Sequence, residues 1–238
     1  MGKEIDLLAK YPKTKRDLTK RLESKSEEVR SVARKFDKEF FDGERKFGYG
    51  GFSYDPKYWS EVVKDFSDYY NLGDGSKILD IGCGKGFMIY DFLQHNNKYN
   101  VKGIDISNYA IENSMPEVKG KLEVGDAKKL NFEDNSFDLV IAINTIHNLE
   151  KEECGKSLRE IERVSKKNKF IVVESLFKKA CVSEGICFLI VAHVGAFIDG
   201  PVIEISVDMD FLVANIFVIF KGKVCADIFC FNILVVGI

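Results

Sequence analysis

The stretch ILDIGCGKG, residues 78–86, combines a short apolar run with three closely spaced glycines. Apolar residues flank Asp80, and Gly82, Gly84 and Gly86 follow at alternate positions. Glycine lets the backbone turn tightly and approach a ligand closely, where a Cβ atom would collide. The pattern therefore predicts a short buried strand that runs through a glycine turn into a helix.

The spacing of the glycines narrows the kind of ligand. A dinucleotide fingerprint needs G-x-G-x-x-G, and its third glycine would fall where this chain has Phe87. Asp80, just before the first glycine, suits a ligand with an ammonium group better than one with a pyrophosphate. The helix that follows would also aim free N–H groups and the positive end of its dipole at the ligand. For the turn alone, a plain strand–helix connection is the alternative.

Acidic residues follow the next two predicted strands. Asp105 ends the strand in VKGIDIS, 23 positions after Gly82. A carboxylate there can accept hydrogen bonds from both hydroxyls of a ribose. In GDAKKL, Asp126 can accept from an adenine amino group while the N–H of Ala127 faces the ring. The alternatives are a helix cap at Asp105 and a simple Gly-Asp turn at Asp126.

Strands and helices alternate outward from the glycine turn. Apolar runs separated by helical periodicity predict an α/β fold with a mostly parallel sheet covered on both faces. The predicted strands are 77–81, 101–104, 122–124, 137–143 and 170–173, and the predicted helices are 86–94, 108–114 and 151–166.

The N-terminal part reads as helices around an aromatic loop. A helix is predicted over 22–41, with Ser24 and Glu27 as a capping box, and a second helix begins at Trp59. Between them lies GYGGFSYDPKYW, residues 48–59. Its aromatic residues form either a lid or acceptor pocket, or ordinary packing; they are Tyr49, Tyr54, Tyr58 and Trp59.

Composition and charge limit the partners of this 238-residue chain. It has 35 basic and 37 acidic residues and a pI of about 6.0, so nothing draws it as a whole to nucleic acid or to an anionic membrane. The basic stretch 10–21 has acids interleaved, which favours a solvated helix face over RNA contact. The first residues carry no signal-peptide pattern, and the six cysteines lack C-x-x-C spacing. A cytoplasmic protein with free thiols and no metal is expected.

The last 58 residues differ in composition from the rest of the chain. They hold eight charged residues, against 64 in the first 180, and four of the six cysteines. Each apolar run is shorter than the roughly 20 residues that a spanning helix needs. Apolar and polar residues alternate over 203–211, so short strands are predicted, with a membrane hairpin or a non-native ending as alternatives.

Four motifs in order carry a family resemblance. They are ILDIGCGKG, GIDIS, GDAKKLNFEDNSFDLVIAIN and ECGKSLREIERVSKKNKFIVVES. Together they resemble the class I S-adenosylmethionine-dependent methyltransferase family over residues 77–174. The resemblance implies an enzyme with a Rossmann-like sheet, flanked by helices, that binds S-adenosylmethionine across its strand ends. The tail resembles no closing segment of that family; divergence and a reading-frame error both remain open.

The resemblance also assigns the cofactor residues. It implies that Asp80 and the glycine turn lie near the methionine part of the cofactor, Asp105 near the ribose and Asp126 near the adenine. Asn144 would line the methionine end or the acceptor, and Tyr49 would cover the cofactor. The set is Asp80, Gly82, Cys83, Gly84, Gly86, Asp105, Ile106, Asp126, Ala127, Asn144 and Tyr49.

The loop after the fourth strand bears on the chemistry. His147, in INTIHNL, is the candidate catalytic base, and a structural histidine is the alternative. The loop lacks the Asn/Asp-Pro-Pro-aromatic motif of enzymes that methylate planar amino groups. It also lacks the carboxylates of metal-dependent O-methylation. Methylation of adenine N6 or of glutamine is therefore disfavoured. Together with the balanced charge of the chain, which disfavours nucleic acid, a small-molecule acceptor is expected.

These observations predict three parts: an N-terminal helical cap (1–72), a cofactor-binding core (73–180) and the tail (181–238). The predicted function is methyl transfer from S-adenosylmethionine to a small molecule. A non-catalytic S-adenosylmethionine-binding protein and an RNA methyltransferase are the alternatives. A nicotinamide oxidoreductase is disfavoured by Phe87.

Overall fold

The structure, a computed structural model, describes residues 6–12, 26–176, 188–191, 203–207, 213–221 and 234–237. These fall into two compact units, Leu7–Asn131 and the described residues from Phe132 onward. The predicted capping serine Ser24 and most of the basic stretch 10–21 lie outside the described residues.

The first unit begins with helices and continues as alternating strands and helices. Its helices are α1 (Glu27–Ala33), α2 (Lys38–Phe41), α3 (Ser60–Tyr70), α4 (Phe87–His95) and α5 (Asn108–Glu112). A 3₁₀ helix spans Pro116–Lys121. Its strands are β1 (Lys77–Ile81), β2 (Asn100–Asp105) and β3 (Leu122–Val124).

The sheet of the first unit is parallel, as predicted. β1 pairs with β2 and β2 with β3, with Asp80 opposite Gly103 and Asp105 opposite Val124. Parallel pairing brings the carboxyl ends of β1, β2 and β3 to one edge, where the glycine turn and the acids lie. Ile78, Leu79 and Ile81 on β1 are at most 1% exposed, so the strand is buried on both faces.

The single helix predicted over 22–41 is wrong. Phe36 adopts a left-handed φ of +49°, and α1 and α2 are separate helices on either side of it. Each has its own cap, because Ser26 Oγ accepts from Val29 N and Asp37 accepts from Lys38 N. Helical spacing of the apolar residues continues across the break and gave no sign of it.

The second unit contains a 3₁₀ turn (Ile146–Asn148), one long helix and the remaining strands. The helix is α6 (Lys151–Val164), which packs on β4 (Phe137–Ile143) and β5 (Ser165–Leu176). The later strands are β6 (Phe188–Val191), β7 (Ile203–Val207), β8 (Val213–Lys221) and β9 (Leu234–Gly237).

Pairing in the second unit is mixed. β4 and β5 are parallel, whereas β8 lies antiparallel to both β5 and β7, and β6 and β9 form an antiparallel pair. The described parts of the tail are therefore short strands, as predicted. Among the described residues no helix is long and apolar enough to cross a membrane.

Candidate functional site

The glycine turn is held in shape by its own backbone. Gly82, Gly84 and Gly86 have φ values of +80°, +55° and +80°, which only glycine adopts freely. The N–H groups of Gly82 and Cys83 donate to Ile104 O at 2.8 and 3.0 Å, and Gly86 N donates to Cys83 O at 3.0 Å. The turn is thus bonded to β2 and to itself.

This bonding leaves few donors in the turn itself, because the N–H groups of Gly82, Cys83 and Gly86 are used within the protein. The donors without an intrahelical partner are those of the first turn of α4, beginning at Phe87. The glycines therefore shape the turn, and the helix start offers the hydrogen bonds.

Asp105 is fixed against the turn at the end of β2. It is 8% exposed, its Oδ2 accepts from Gly84 N at 2.8 Å, and its Oδ1 accepts from Ser107 N at 2.9 Å. Burial raises the pKa of this carboxyl, while the backbone N–H groups act to lower it. Asp105 therefore bonds the glycine turn and lies at the strand ends, whereas the N-cap of the helix that follows is Ser107.

Asp80 is a buried acid beside Asp105. It is 6% exposed, and burial, with the charge of Asp105 added, raises its pKa to about 7. Two carboxyl groups in one desolvated place disfavour two negative charges. This part of the site therefore favours a ligand that brings a positive charge or hydroxyl donors.

Cys83 contributes packing in the middle of the turn. Its side chain is buried, and burial raises the pKa of the thiol well above its usual value. A Cβ atom on Gly103 would lie 2.8 Å from Cys83 Sγ, which shows how closely β2 packs against it. The thiol therefore packs in the interior and is unreactive, and any ligand contact of Cys83 would be made by its backbone.

The ends of β2 and β3 carry two exposed apolar side chains and one acidic turn residue. Ile106 and Val124 are 55% and 48% exposed. Asp126 Oδ1 accepts from Lys128 N at 2.9 Å, and its carbonyl accepts from Lys129 N at 2.9 Å. Asp126 therefore builds a turn at this position, with Ala127 inside it, and this corresponds to the simpler of the two sequence interpretations.

The aromatic loop divides into two parts. Tyr49 is 45% exposed and lies in an aromatic cluster, with its ring 4.2 Å from Phe52 between centroids. Tyr58 and Trp59 instead pack against Tyr11, at 5.4 and 4.8 Å. Packing is the role seen for Tyr58 and Trp59, whereas Tyr49 keeps an open face.

Asn144 and His147 belong to the second unit. Asn144 has a φ of +53°, and its N–H donates to Val172 O at 3.0 Å, so it turns the chain as β4 ends. His147 lies exposed in the 3₁₀ turn Ile146–Asn148. The two residues share one loop, and their part in any ligand site remains a prediction.

Sequence reasoning missed a polar cluster on the glycine turn. Lys85 Nζ contacts Asp42 Oδ1 and Oδ2 at 2.9 and 2.7 Å, and Tyr109 OH donates to Asp42 Oδ2 at 2.7 Å. The three residues come from distant parts of the chain, so no local pattern joins them. Among the described residues, no group of three or more His, Cys, Asp or Glu side chains could hold a metal ion.

Comparisons with known proteins match part of the chain to methyltransferases. Residues 79–173 match the family model described as a methyltransferase domain. Phosphoethanolamine N-methyltransferase 3 of Arabidopsis thaliana is 34% identical over 91 residues, which are 36% of this chain and 18% of that protein. A 2-methyl-6-phytyl-1,4-hydroquinone methyltransferase of Synechocystis is 31% identical over 132 residues, covering 48% and 41%.

A solved methyltransferase structure resembles part of this chain. The protein is described as putative and comes from an antibiotic biosynthesis pathway in Anabaena variabilis. It is 26% identical, with a TM-score of 0.41, and the match covers 48% of this chain and 45% of that one. The chain spans less than half the length of the two curated relatives above.

The strand–turn–acid order and the family model define the class of this domain. Residues 79–173 match a methyltransferase domain, and the parallel strands with flanking helices are those of a Rossmann-like fold of the class I S-adenosylmethionine-dependent methyltransferases. The cofactor of that family, as its name states, is S-adenosylmethionine.

Proposed function

We propose that this chain is a methyltransferase that moves the methyl group of S-adenosylmethionine to a small-molecule acceptor. The observation that carries the proposal is the buried pair Asp80 and Asp105 at the glycine turn, inside a matched methyltransferase domain. The curated relatives are named for phosphoethanolamine and a hydroquinone, which are both small molecules. They differ in chemistry, so the proposal extends to the class of acceptor and no further.

The residues of the first unit fit the chemistry of S-adenosylmethionine. Its ammonium group suits Asp80, its carboxylate suits the start of α4, and its ribose hydroxyls suit Asp105. Ile106 offers exposed apolar surface to the adenine. In this proposal Asp126 and Ala127 meet the edge of the adenine, and Tyr49 covers the cofactor.

Bound S-adenosylmethionine supplies a sulfonium methyl group that is already activated for displacement. The protein then has mainly to align the acceptor, and well-oriented proximity supplies roughly 7–11 kcal/mol. We assign His147 the role of base where the acceptor must lose a proton, a contribution of about 10²–10⁴-fold. Asn144, in the same loop, would line the methionine end or the acceptor.

Location and partners belong to the same proposal. We place the protein in the cytoplasm, acting on a small molecule without a metal and without nucleic acid as substrate. We also retain the parts 1–72, 73–180 and 181–238 as cap, cofactor-binding core and tail. The balanced charge of the whole chain supports the exclusion of nucleic acid.

Calorimetric titration of the full chain with S-adenosylmethionine tests this function, with NAD as the control ligand. We expect micromolar binding, about −8 kcal/mol, for the first ligand and none for NAD. Transfer of a labelled methyl group is then measured on a panel containing phosphoethanolamine, other amines and hydroquinones. Absence of binding by folded protein would refute the proposal. Binding without transfer would point to the non-catalytic alternative.

A further inference from the structure

A partly buried ion pair joins the N-terminal helices to the glycine turn. Asp42 caps the end of α2, and Lys85 lies between the second and third glycines of the turn. The side chain of Lys85 is 11% exposed and that of Asp42 is 27% exposed. The pair therefore crosses from one part of the first unit to the residues that shape the candidate cofactor site.

Every polar group of this pair is used. Lys85 Nζ bonds both oxygens of Asp42 and also donates to Phe52 O at 2.9 Å, which matches the three donors of an ammonium group. Asp42 accepts in addition from Phe52 N at 3.0 Å and from Tyr109 OH at 2.7 Å. Burial opposes the charge of Asp42, but these hydrogen bonds outweigh it and lower its pKa to about 2.

The segment between Asp42 and Phe52, residues 42–52, is here named the cap loop. Within the loop, Arg45 Nη1 donates to Gly48 O and Tyr49 O at 2.8 and 2.7 Å. Tyr49 N and Gly51 N donate to Phe40 O and Phe41 O at 2.9 and 3.1 Å. These hydrogen bonds connect Tyr49 to the rest of the loop and to α2, so the position of Tyr49 depends on how the loop is held.

The cap loop lies directly on the middle glycine. A Cβ atom on Gly84 would lie 3.0 Å from Phe52 Cε1, so the phenyl ring covers the turn. The N–H of the same Gly84 donates to Asp105. Lys85 is the next residue, and its hydrogen bonds therefore act on the piece of backbone that orients Asp105.

We propose that Asp42 and Lys85 are positioning residues that fasten the cap loop over the glycine turn and so hold Asp105 and Tyr49 in place for S-adenosylmethionine. The identity of the ligand rests on the proposed function. An ion pair adds little net stability, whether it is exposed or buried. We therefore attribute to the pair a role in fixing the position of the cap loop relative to the glycine turn, and not a contribution to stability.

The test uses Asp42→Asn, Lys85→Met and the milder Tyr109→Phe, which removes a single hydrogen bond. Asp74→Asn is the matched control, because it breaks the exposed pair of Asp74 with Lys98 in the same unit. The first measurement is the rate at which trypsin cleaves ligand-free protein after Arg45 and Lys46. We expect Asp42→Asn and Lys85→Met to raise it about 10-fold or more and Tyr109→Phe by less, with the control unchanged.

The second measurement is the dissociation constant of S-adenosylmethionine. Asp42→Asn and Lys85→Met should raise it about 10-fold, because the ligand must then also close the loop. Saturating ligand should restore resistance to trypsin. Because a bound ligand also protects against global unfolding, the urea midpoint of each ligand-free variant is compared with its cleavage rate, and a general loss of stability would lower that midpoint. Circular dichroism and urea unfolding show that each variant is folded.

The outcomes separate this inference from the proposed function. If the wild-type chain does not bind S-adenosylmethionine, the proposed function fails, while the trypsin experiment on ligand-free protein still decides whether the pair holds the loop. If the wild type binds but Asp42→Asn and Lys85→Met bind and are cleaved like the control, the positioning role is refuted. Cleavage that rises equally in the control also refutes it.

Discussion

At the scale of single residues, the candidate site is set by burial of charge. Asp80 and Asp105 are both nearly buried, and both have a raised pKa because burial disfavours their charged forms. A ligand with an ammonium group would interact favourably with these two carboxyl groups, and a ligand with only negative groups would be repelled by them. The two acids therefore select between ligands by their charge, whatever the shape of the ligand.

The pKa of Asp80 leads to a test by proton release. Near pH 6 a carboxyl with a pKa of about 7 is mostly protonated, and pairing with a ligand ammonium would ionise it. We expect binding of S-adenosylmethionine to release close to one proton. Calorimetry in two buffers of different ionisation enthalpy measures this as a difference in heat.

Asp80→Asn serves as the control, because it keeps the shape and cannot ionise. It should bind more weakly and release no proton. In the ligand-free protein, a pKa raised from 3.8 to about 7 means that stability is lost as the pH rises through that interval, and the variant should lack this loss. Equal heats in both buffers for the wild type would contradict the pairing.

At the scale of elements, helix ends are decided by backbone conformation. α3 ends at Asn71, which has φ +52° and ψ +50°, and the next N–H, of Leu72, donates back to Ser67 O at 2.9 Å. A left-handed residue at this place ends the helix and satisfies its last carbonyls. The sequence interpretation ended this helix at Gly73 and Gly75, a few residues too late.

Substitution of Asn71 tests this account of the helix end. Asn71→Ala should lower the free energy of unfolding by about 1 kcal/mol, because alanine lacks the short polar side chain that lets asparagine adopt the left-handed region. Asn71→Gly should be neutral or slightly stabilising, since glycine adopts that region freely. Urea unfolding of both variants against the wild type gives the values. Equal losses for Ala and Gly would show that the asparagine side chain matters and the backbone does not.

At the scale of the whole molecule, the described tail completes the second unit. β8 pairs antiparallel with β5 from Asn168 opposite Lys221 to Leu176 opposite Val213. β5 is therefore paired with β4 on one side and with β8 on the other. Without β8 it would be an exposed edge strand, which favours aggregation.

Truncation tests the contribution of the tail. We expect residues 1–176 to be insoluble or to bind S-adenosylmethionine poorly, as judged by size-exclusion chromatography and calorimetry. The matched control is residues 1–222, which keeps β7 and β8 and should stay soluble. A soluble, tightly binding 1–176 protein would contradict the prediction.

β5 begins at Ser165, before the predicted strand 170–173 and inside the end of the predicted helix 151–166. The amino-acid sequence was otherwise sufficient to predict β1 to β4, the glycine turn and the acids after the strands. Each depends on a local pattern, either apolar residues in a short run or glycines at fixed spacing. The predicted bounds of β1, β3 and β4 agree with the structure for this reason.

Only the tertiary structure decided where Phe36 breaks the first helix, how the turn uses its own N–H groups, and that Asp42 meets Lys85. Asp42 and Lys85 are 43 positions apart, and Asp42 and Tyr109 are 67 apart. Contacts at such separations depend on how the intervening elements pack, and a pattern read along the chain carries no information about that packing. The ligand chemistry could therefore be predicted from the sequence, whereas the contacts of Asp42 that hold the cap loop could not.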